Sequence, residues 1–399
     1  MAERIGRSSV PDPRSARPLV PGPGPGRRRV LFGLLGAAAV PLYARGASAA
    51  IVPSSTLPAR ADILAAMRRV NDQWIGAHTN PGDAQWARAT YFSGVMAAYR
   101  ATGEARYLAY AKKWAEQNGY ALNGGVGTRH ADNHTAGQVY YDLNDVTPDP
   151  AKVTAINESL RLMVYGAQST KIDDWTWVDA LHMAMPVFAR VAAYRNDDAY
   201  RTRLWAMYTY CKKTLKLYDY GHELWYRDRA FVPGGAESVS PNGRPVFWSR
   251  GNGWAIAAHA KTLGLLGATA TRWPEYTYNI QGLGRSLLAT QRSDGFWNVN
   301  LGDAAHLPGP ETSGTAMFAF GLAYAVRTGI VDRATYLPVA ARAWNGMLAT
   351  AVRADGFLGY VQGVGYKPES SQPVTAGTTA DFGVGAFLLA GAELAKLAT

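Results

Sequence analysis

From residue 60 onward, apolar residues recur every three or four positions along most of the chain, which is the spacing of one face of a helix. Gly, Pro, Asn and Asp interrupt this pattern and divide it into twelve segments. The pattern predicts helices near residues 60–77, 83–102, 104–118, 134–144, 150–168, 175–194, 197–217, 250–267, 274–291, 311–328, 333–351 and 376–397.

The predicted helices alternate in composition. Even-numbered segments such as GWAIAAHAKTLGLLG consist mainly of small and apolar residues, whereas odd-numbered ones such as YLAYAKKWAEQ carry cationic positions on one face. Twelve helices that alternate between an inner and an outer layer close most simply into an all-α (α/α)6 toroid of six helical hairpins. An open solenoid of helix pairs is the alternative, but no fixed-period repeat supports it. The Gly- and Pro-rich segments 219–249, 292–310 and 354–375 are predicted to form loops and small hairpins over one end.

The first 49 residues have a different character. Three arginines, at positions 27–29, precede the apolar run VLFGLLGAAAV, and the small residues at 47–49 follow it, which is the order of a signal peptide. The run is too short to span a bilayer, and the paired arginines resemble a twin-arginine signal. We therefore expect residues 1–49 to be a disordered leader plus a signal peptide, and residues 50–399 to form a single catalytic domain that is exported to the periplasm or beyond.

The formal net charge of +11 raises the question of nucleic-acid binding. Residues 1–50 hold eight Arg against two acidic residues, and the rest of the chain holds 33 basic against 28 acidic residues. Because the remaining net charge of +5 is spread along the chain without a basic helix, we expect no nucleic-acid partner.

No later apolar run is long enough to predict a membrane span. The single cysteine, Cys211, excludes an intramolecular disulfide. We expect a monomer or a homodimer.

Residues that can carry chemistry gather just before, or in the first turn of, even-numbered helices. The clusters are Asp132 to His134, Trp175 to Asp179, Trp248 to Trp254 and Glu311 to Thr315. If the even-numbered helices run parallel inside the toroid, these clusters share one mouth, where a pocket is expected.

Four motifs in these regions resemble a known family. WTWVDALHMAMPVFARVA, VFWSRGNGWAIAAHAKTL, SDGFW and ETSGTAMFAFGLAYA, in this order, resemble the glycoside hydrolases of families 88 and 105, the unsaturated glucuronyl and rhamnogalacturonyl hydrolases. The resemblance covers roughly residues 60–397. It implies an (α/α)6 fold, an acidic oligosaccharide substrate, and no metal or organic cofactor.

The resemblance also implies an unusual reaction. Such enzymes release the 4,5-unsaturated uronic acid from the non-reducing end of oligosaccharides that a polysaccharide lyase has generated. An aspartic acid protonates carbon four of the enol ether, water adds at carbon five, and the resulting hemiketal opens. This differs from common glycoside hydrolysis, in which the anomeric carbon is attacked.

By motif position, Asp179 in WVDALHM matches the catalytic acid and base of the family. Asp132 in ADNHTAG falls where the family carries a second aspartate that helps to bind the sugar or supports the acid. Burial among Trp175, Trp177 and Met183 is expected to raise the pKa of Asp179, and two carboxyls in one pocket raise the pKa of one of them. For both aspartates, the alternative is a cap of the following helix.

The motif WSRGNGW offers flat aromatic faces and a cation for a uronic acid. By analogy with the family, Trp248 and Trp254 pack against a sugar ring, and Arg250 pairs with the substrate carboxylate; a structural ion pair is the alternative for Arg250. Trp177 and Trp297 are two further candidate substrate-binding residues.

His134 and Arg227 complete the candidate site. His134 lies at helical spacing from His130, but no third ligand accompanies the pair, so we expect substrate contact rather than a metal. Characterised rhamnogalacturonyl-type relatives tend to place a His where this chain reads Trp225 to Asp228. If Arg227 or Asp228 reaches the pocket, the substrate preference is expected to differ from the pectin-derived disaccharide.

Two other functions stay open from the sequence. A conventional inverting glycosidase on the same fold would use Asp179 with Asp132 or Asp174 as acid and base. An oligosaccharide-binding protein would keep the pocket without catalysis. The polar run from Glu311 to Ser313 is interpreted first as a helix cap.

Overall fold

Helices form along the periodic segments in a computed structural model that describes residues 52–267 and 273–399. Twelve long helices and one single turn, α4, are present in these ranges. They are α1 (Arg60–Ala77), α2 (Trp86–Thr102), α3 (Ala105–Gln117), α4 (Ala131–His134), α5 (Ala136–Val146), α6 (Thr154–Tyr165), α7 (Asp179–Arg195), α8 (Asp198–Thr209), α9 (Ser249–Leu266), α10 (Trp273–Thr290), α11 (Thr312–Arg327), α12 (Arg333–Thr350) and α13 (Asp381–Leu394).

The small and apolar helices form a closed inner ring. Helices α2, α5, α7, α9, α11 and α13 contact one another in this order, and α13 packs back against α2. Helices α1, α3, α6, α8, α10 and α12 pack against the outside of this ring. The predicted (α/α)6 toroid is confirmed, and the contact between the first and last inner helices excludes an open solenoid.

Glycines set the closest approach in the inner ring. A Cβ atom on Gly94 of α2 would lie 2.4 Å from the carbonyl oxygen of Gly385 in α13, and one on Gly385 would lie 2.5 Å from the Thr90 carbonyl oxygen. Real Cβ atoms do not approach backbone this closely, so only glycine permits the contact. The seam that closes the ring therefore requires glycine on both sides.

The boundaries of two inner helices differ from those predicted. The segment predicted at 134–144 begins at Ala131, and the amide of Thr135 donates to the carbonyl of Asp132, so a tighter turn separates α4 from α5. The segment predicted from residue 175 begins at Asp179, because Trp177 instead forms an extended bridge with Asp228. Trp175 and Trp177 thus lie in a loop rather than on α7.

The long connections form loops with small hairpins, as predicted. Strand β1 (Tyr218–Asp219) pairs antiparallel with β2 (Leu224–Trp225), and an isolated bridge joins Trp248 to Asn300. None of the helices in the described ranges is long and apolar enough to cross a membrane. The leader and signal peptide predicted for residues 1–49 lie outside the described residues.

All six inner helices run in the same direction. The cavity at one end of the ring is lined by residues from the later turns of each of them, including Arg100 of α2, Arg190 of α7 and Arg327 of α11. The N-terminal ends therefore meet at the other end. This arrangement gathers there the loops that precede the inner helices.

Candidate active site

An open cleft of about 590 Å³ lies where the loops before α5, α7 and α9 meet. These loops carry most of the chemistry-bearing clusters found in the sequence, so the cleft is polar. Its charged and aromatic lining residues are His130, Asp132, Trp177, Tyr210, Arg227, Asp228 and Arg229.

Asp179 is the first residue of α7, and its side chain is 14% exposed. No side chain caps this helix, and among the described atoms Asp179 Oδ2 has no hydrogen-bond partner. The Nε atom of Arg227 lies 3.7 Å from Asp179 Oδ2. The alternative role of a helix cap is therefore not observed, and a carboxyl oxygen is left available for chemistry.

The two candidate catalytic carboxyls both hold protons more tightly than free aspartates. Burial raises the pKa of Asp179, and the nearby charges of Arg227 and Arg250 oppose this shift. Burial raises the pKa of Asp132 to about 7, with the charge of Asp179 adding to the shift and Arg227 opposing it. The pair retains a proton near neutral pH.

Arg227 is held over the cleft by backbone pairing. The Val178 amide donates to the Arg227 carbonyl at 2.8 Å, next to the bridge between Trp177 and Asp228. The Arg227 guanidinium pairs with Asp228 through Nη1 and faces Asp179 through Nε. The segment in which the sequence departs from the family pattern thus lies in the cleft itself.

Arg250 and Trp248 lie behind the cleft wall, and both are 1% exposed. Arg250 donates to the carbonyl oxygens of Gln362 and Gly363 at 2.6 and 3.0 Å and lies over the Trp248 ring. Trp248 Nε1 donates to Gln362 Oε1 at 2.9 Å. The positive charge of Arg250 opposes the rise in the pKa of Asp179 that burial causes. The pairing of Arg250 with a substrate carboxylate stays a prediction.

The structure places three other predicted substrate-binding residues in the core. Trp254 is 1% exposed, and Trp297 is fully buried with Nε1 donating to the Leu287 carbonyl at 3.0 Å. His134 is fully buried with Nε2 3.1 Å from Ser159 Oγ. These rings are packing elements of the inner layer. They do not reach the cleft wall, so direct substrate contact is not available to them in this structure.

Trp177 is the predicted aromatic residue that does line the cleft. It packs against the ring of His130, with ring centroids 4.8 Å apart. His130 and Arg229 were missed as site residues from the sequence; for His130 its place beside Asp132 was an available signal. Arg229 is exposed and makes no hydrogen bond or ion pair within the part of the chain that the structure describes.

Asp174 and Glu311 have structural roles. Asp174 accepts two hydrogen bonds from Arg129, at 3.0 and 2.5 Å, and its side chain is 5% exposed. Glu311 accepts from the amides of Ser313 and Gly314 at 2.9 and 2.7 Å, which is the helix cap that the sequence predicted. In the described ranges, no group of three His, Cys, Asp or Glu side chains is arranged to hold a metal ion.

A closed helical toroid with Asp132 in a cleft at one mouth, and Asp179 next to it beside Arg227, is an arrangement that suits a glycoside hydrolase. The family model described as Glycosyl Hydrolase Family 88 matches residues 64–398. The chain therefore belongs to glycoside hydrolase family 88.

Individual relatives span nearly the whole domain. An unsaturated 3S-rhamnoglycuronyl hydrolase of Formosa agariphila is 32% identical over 344 residues, which cover 82% of this chain and 88% of the relative. The solved structure of a family 88 glycosyl hydrolase from Bacteroides vulgatus is 33% identical, with a TM-score of 0.79 over 85% of this chain and 99% of that one. A solved structure named a polysaccharide lyase is 34% identical, with a TM-score of 0.78 over 85% and 98%.

Proposed function

We propose that this enzyme releases a 4,5-unsaturated uronic acid from the non-reducing end of lyase-generated oligosaccharides in which that acid is linked to a rhamnose. The observation that carries the proposal is the pair Asp132 and Asp179, two carboxyls of raised pKa: Asp132 lines the cleft, and Asp179 lies next to it, 3.7 Å from the cleft-lining Arg227. The name of the Formosa agariphila relative supports the sugar class.

The pair supplies the proton chemistry of double-bond hydration. Near neutral pH it holds a proton, which Asp179 delivers to carbon four of the enol ether. Once ionised, Asp179 accepts a proton from the water that adds at carbon five, and Arg227 stabilises its charge. The hemiketal then opens and releases the sugar. Asp132 shares the proton with Asp179 and so keeps a proton in the site for the first step.

Cations around the pair suit an acidic substrate. Arg229 is exposed at the cleft and has no acidic partner within the described ranges, so its donors are available to a carboxylate or a sulfate. Arg250 adds positive charge from behind the wall. Replacing Arg229 by Met is expected to raise KM about tenfold with little change in kcat, because a binding contact is lost equally in ground and transition states.

The decisive experiment follows the ultraviolet absorbance of the conjugated double bond. Oligosaccharides made by lyases from rhamnose- and uronate-containing polysaccharides, with and without sulfate, are incubated with the enzyme. A fall in absorbance with release of the terminal sugar supports the proposal. A rise in absorbance on the intact polysaccharide identifies a lyase instead, which is the activity named for one of the similar structures. No change on any lyase product overturns the proposal.

The inverting glycosidase and the non-catalytic binding protein are less well supported. Asp174 is engaged by Arg129 and buried, so it is not free to activate a water. Asp132 lines the cleft and remains available to the glycosidase. Cleavage of saturated substrates to a single anomer would select that alternative, and affinity without turnover would select the binding protein.

We also propose that the protein is exported by the twin-arginine route. Arg27, Arg28 and Arg29 before a short, weakly apolar run support this, as does the small-residue stretch at 47–49. N-terminal sequencing of the protein recovered from the medium or periplasm of its host is expected to start near Ala50. Recovery of an intact N-terminus from the cytoplasm alone would contradict this proposal.

A further inference from the structure

A second cavity, of about 510 Å³, lies at the C-terminal ends of the inner helices and takes no part in the proposed reaction. All six inner helices contribute to its wall. Much of that wall is apolar, with Ala97 of α2, Pro186 of α7, Phe320 of α11 and Leu389 of α13 among its residues. Its volume is in the range of small-molecule sites, about 300–1,000 Å³.

Lys261 crosses the toroid axis at this cavity. It stands on α9, and its Nζ atom donates to Ser93 Oγ on α2 and to Gln138 Oε1 on α5, both at 2.7 Å. Helix α2 is three positions from α9 around the ring, so the side chain reaches the opposite wall. Gln138 Nε2 in turn donates to the His182 carbonyl on α7 at 2.9 Å. One ammonium group therefore joins four of the six inner helices through a hydrogen-bonded network.

Positive charge is in excess around the cavity. Arg100 pairs with Asp142 at 2.8 Å, and Arg327 pairs with Glu393, which also accepts from Lys396. Those two carboxylates are the acidic residues in the lining. They face six cations, namely Arg60, Arg100, Arg190, Lys261, Arg327 and Lys396; Arg190 and Arg100 also pair with Asp145, which is not part of the lining.

Lys261 differs from the other cations in its partners. Its two hydrogen-bond partners are neutral oxygens, and among the described residues no carboxylate is in ion-pair contact with it. Burial lowers the pKa of Lys261 to about 8, while the charge of Asp142 opposes the shift. The group is therefore mostly charged at neutral pH but poorly compensated. A bound anion would supply the missing charge and take the remaining ammonium hydrogen.

We propose that this cavity binds a small organic carboxylate with an apolar body, its carboxylate on the Lys261 ammonium and its body against the apolar wall. An inorganic anion would leave the wall around Phe320 and Leu389 in contact with water. An oligosaccharide would bring hydroxyls against the apolar part of the wall, where they would lose their hydrogen bonds to water. The combination of one uncompensated cation and an apolar wall fits a compact aromatic or aliphatic acid.

The test uses 4-bromobenzoate as the probe ligand and the whole protein as the binding partner. The anomalous signal of bromine in soaked crystals is expected inside this cavity, and calorimetry is expected to show one binding site. Benzyl alcohol, which has the ring without the charge, and acetate, which has the charge without the ring, are each expected to bind at least tenfold more weakly, about 1.4 kcal/mol. Bromine found in the cleft or on the outer surface alone would overturn the proposal.

A pair of variants tests the role of the ammonium. Lys261→Met keeps the aliphatic stem and removes the charge, so the affinity for 4-bromobenzoate is expected to fall at least tenfold. Lys113→Met is the matched control, because Lys113 is exposed on α3 and also donates to a neutral oxygen, the Thr79 carbonyl. Equal affinity in the two variants contradicts the proposal. If Lys261→Met does not fold, the wild-type crystal and the benzyl alcohol comparison decide the question.

Discussion

The two ends of the toroid are built from the same six helices, but several of these helices carry an acidic side chain at the N-terminus and a cation at the C-terminus. Acidic side chains occupy the N-terminal ends, where Asp179, Glu311 and Asp381 stand in the cap or first turn of an inner helix. Cations occupy the C-terminal ends, where Arg100 and Arg327 lie in the last turn. Acidic side chains at the N-terminus and cations at the C-terminus both interact favourably with the helix dipole. A charged residue at a helix end can therefore serve stability alone, and its charge does not identify a functional site.

Charged residues with a structural role differ from candidate functional ones in their partners: the structural residues have protein partners that satisfy their charge and polar atoms, and the candidate functional ones are satisfied only in part by the described residues. Glu311 is fully buried, and both of its oxygens accept from backbone amides. Asp179 stands at the equivalent end of α7, yet its Oδ2 accepts nothing from the described residues. At the other end of the toroid, Arg100 has a carboxylate partner and Lys261 does not. At each end, an incompletely satisfied group lies beside a cavity or cleft.

The largest effect is expected from removing the carboxyl of Asp179. The Asp179→Asn variant should lower kcat by about 1,000-fold, since general acid–base catalysis contributes about 10²–10⁴-fold. Substrate affinity, measured by calorimetry, should stay within a fewfold because size and polarity are kept. Activity within tenfold of wild type would move the catalytic acid to another residue.

Asp132→Asn tests the shared proton. Because the folded-state pKa of Asp132 is raised from 3.8 to about 7, its proton stabilises the fold at low pH, and that stabilisation is lost as the pH rises through 4 to 7. The variant should therefore be more stable than wild type at pH 8, by about 1–3 kcal/mol, with no gain at pH 4. Urea unfolding at the two pH values measures this. In the wild type, kcat/KM is expected to fall above about pH 7, and the pH of this fall should change in the variant. An equal stability change at both pH values contradicts the raised pKa of Asp132.

Glu311→Gln sharpens the contrast between structural and catalytic carboxyls. Loss of the charged cap is expected to cost about 1–2 kcal/mol in unfolding free energy, because a buried carboxylate serves two amides there. Asp332, whose exposed carboxylate accepts from the Thr335 amide at 2.7 Å, is the matched control. Asp332→Asn should cost well under 1 kcal/mol. Equal losses of unfolding free energy in the two variants would mean that burial of the capping carboxylate does not increase its contribution to stability.

The smallest change in unfolding free energy is expected at the C-terminal ends of the inner helices. Arg100 is 46% exposed and pairs with Asp142 at 2.8 Å, so Arg100→Ala should cost less than about 1 kcal/mol. The loss should shrink further in 1 M salt, since exposed ion pairs are screened. A larger, salt-independent loss in the urea midpoint would show that this end of the toroid depends on its ion pairs for stability.

The architecture could be predicted because the two helix layers differ in composition, as DFGVGAFLLAGAEL of the last inner helix illustrates. Asp179 could be found because its motif is local. Trp297 and His134 were placed in the site because an aromatic ring or a histidine has the same residue type whether it faces a cleft or the core. Arg229 lies in a loop whose path is set by the pairing of Trp177 with Asp228, a contact between distant segments.

The contacts of Lys261 could not be predicted from the sequence for a different reason. It stands alone as a cation in the apolar run AIAAHAKTLGLL, where its type gives no sign of crossing the toroid. Its partners Ser93 and Gln138 lie 168 and 123 positions away along the chain. Contacts of such separation follow from ring closure, which the pattern within one helix does not contain.

The glycine seam between Gly94 and Gly385 has a consequence for biosynthesis. The seam joins α2 (Trp86–Thr102) to α13 (Asp381–Leu394), the first and the last of the six inner helices in sequence order. While translation proceeds, α2 and α11 have no partner for the apolar faces that α13 covers. The ring can close only after α13 has been synthesised, so the nascent protein exposes these apolar faces until then and is open to aggregation or chaperone binding.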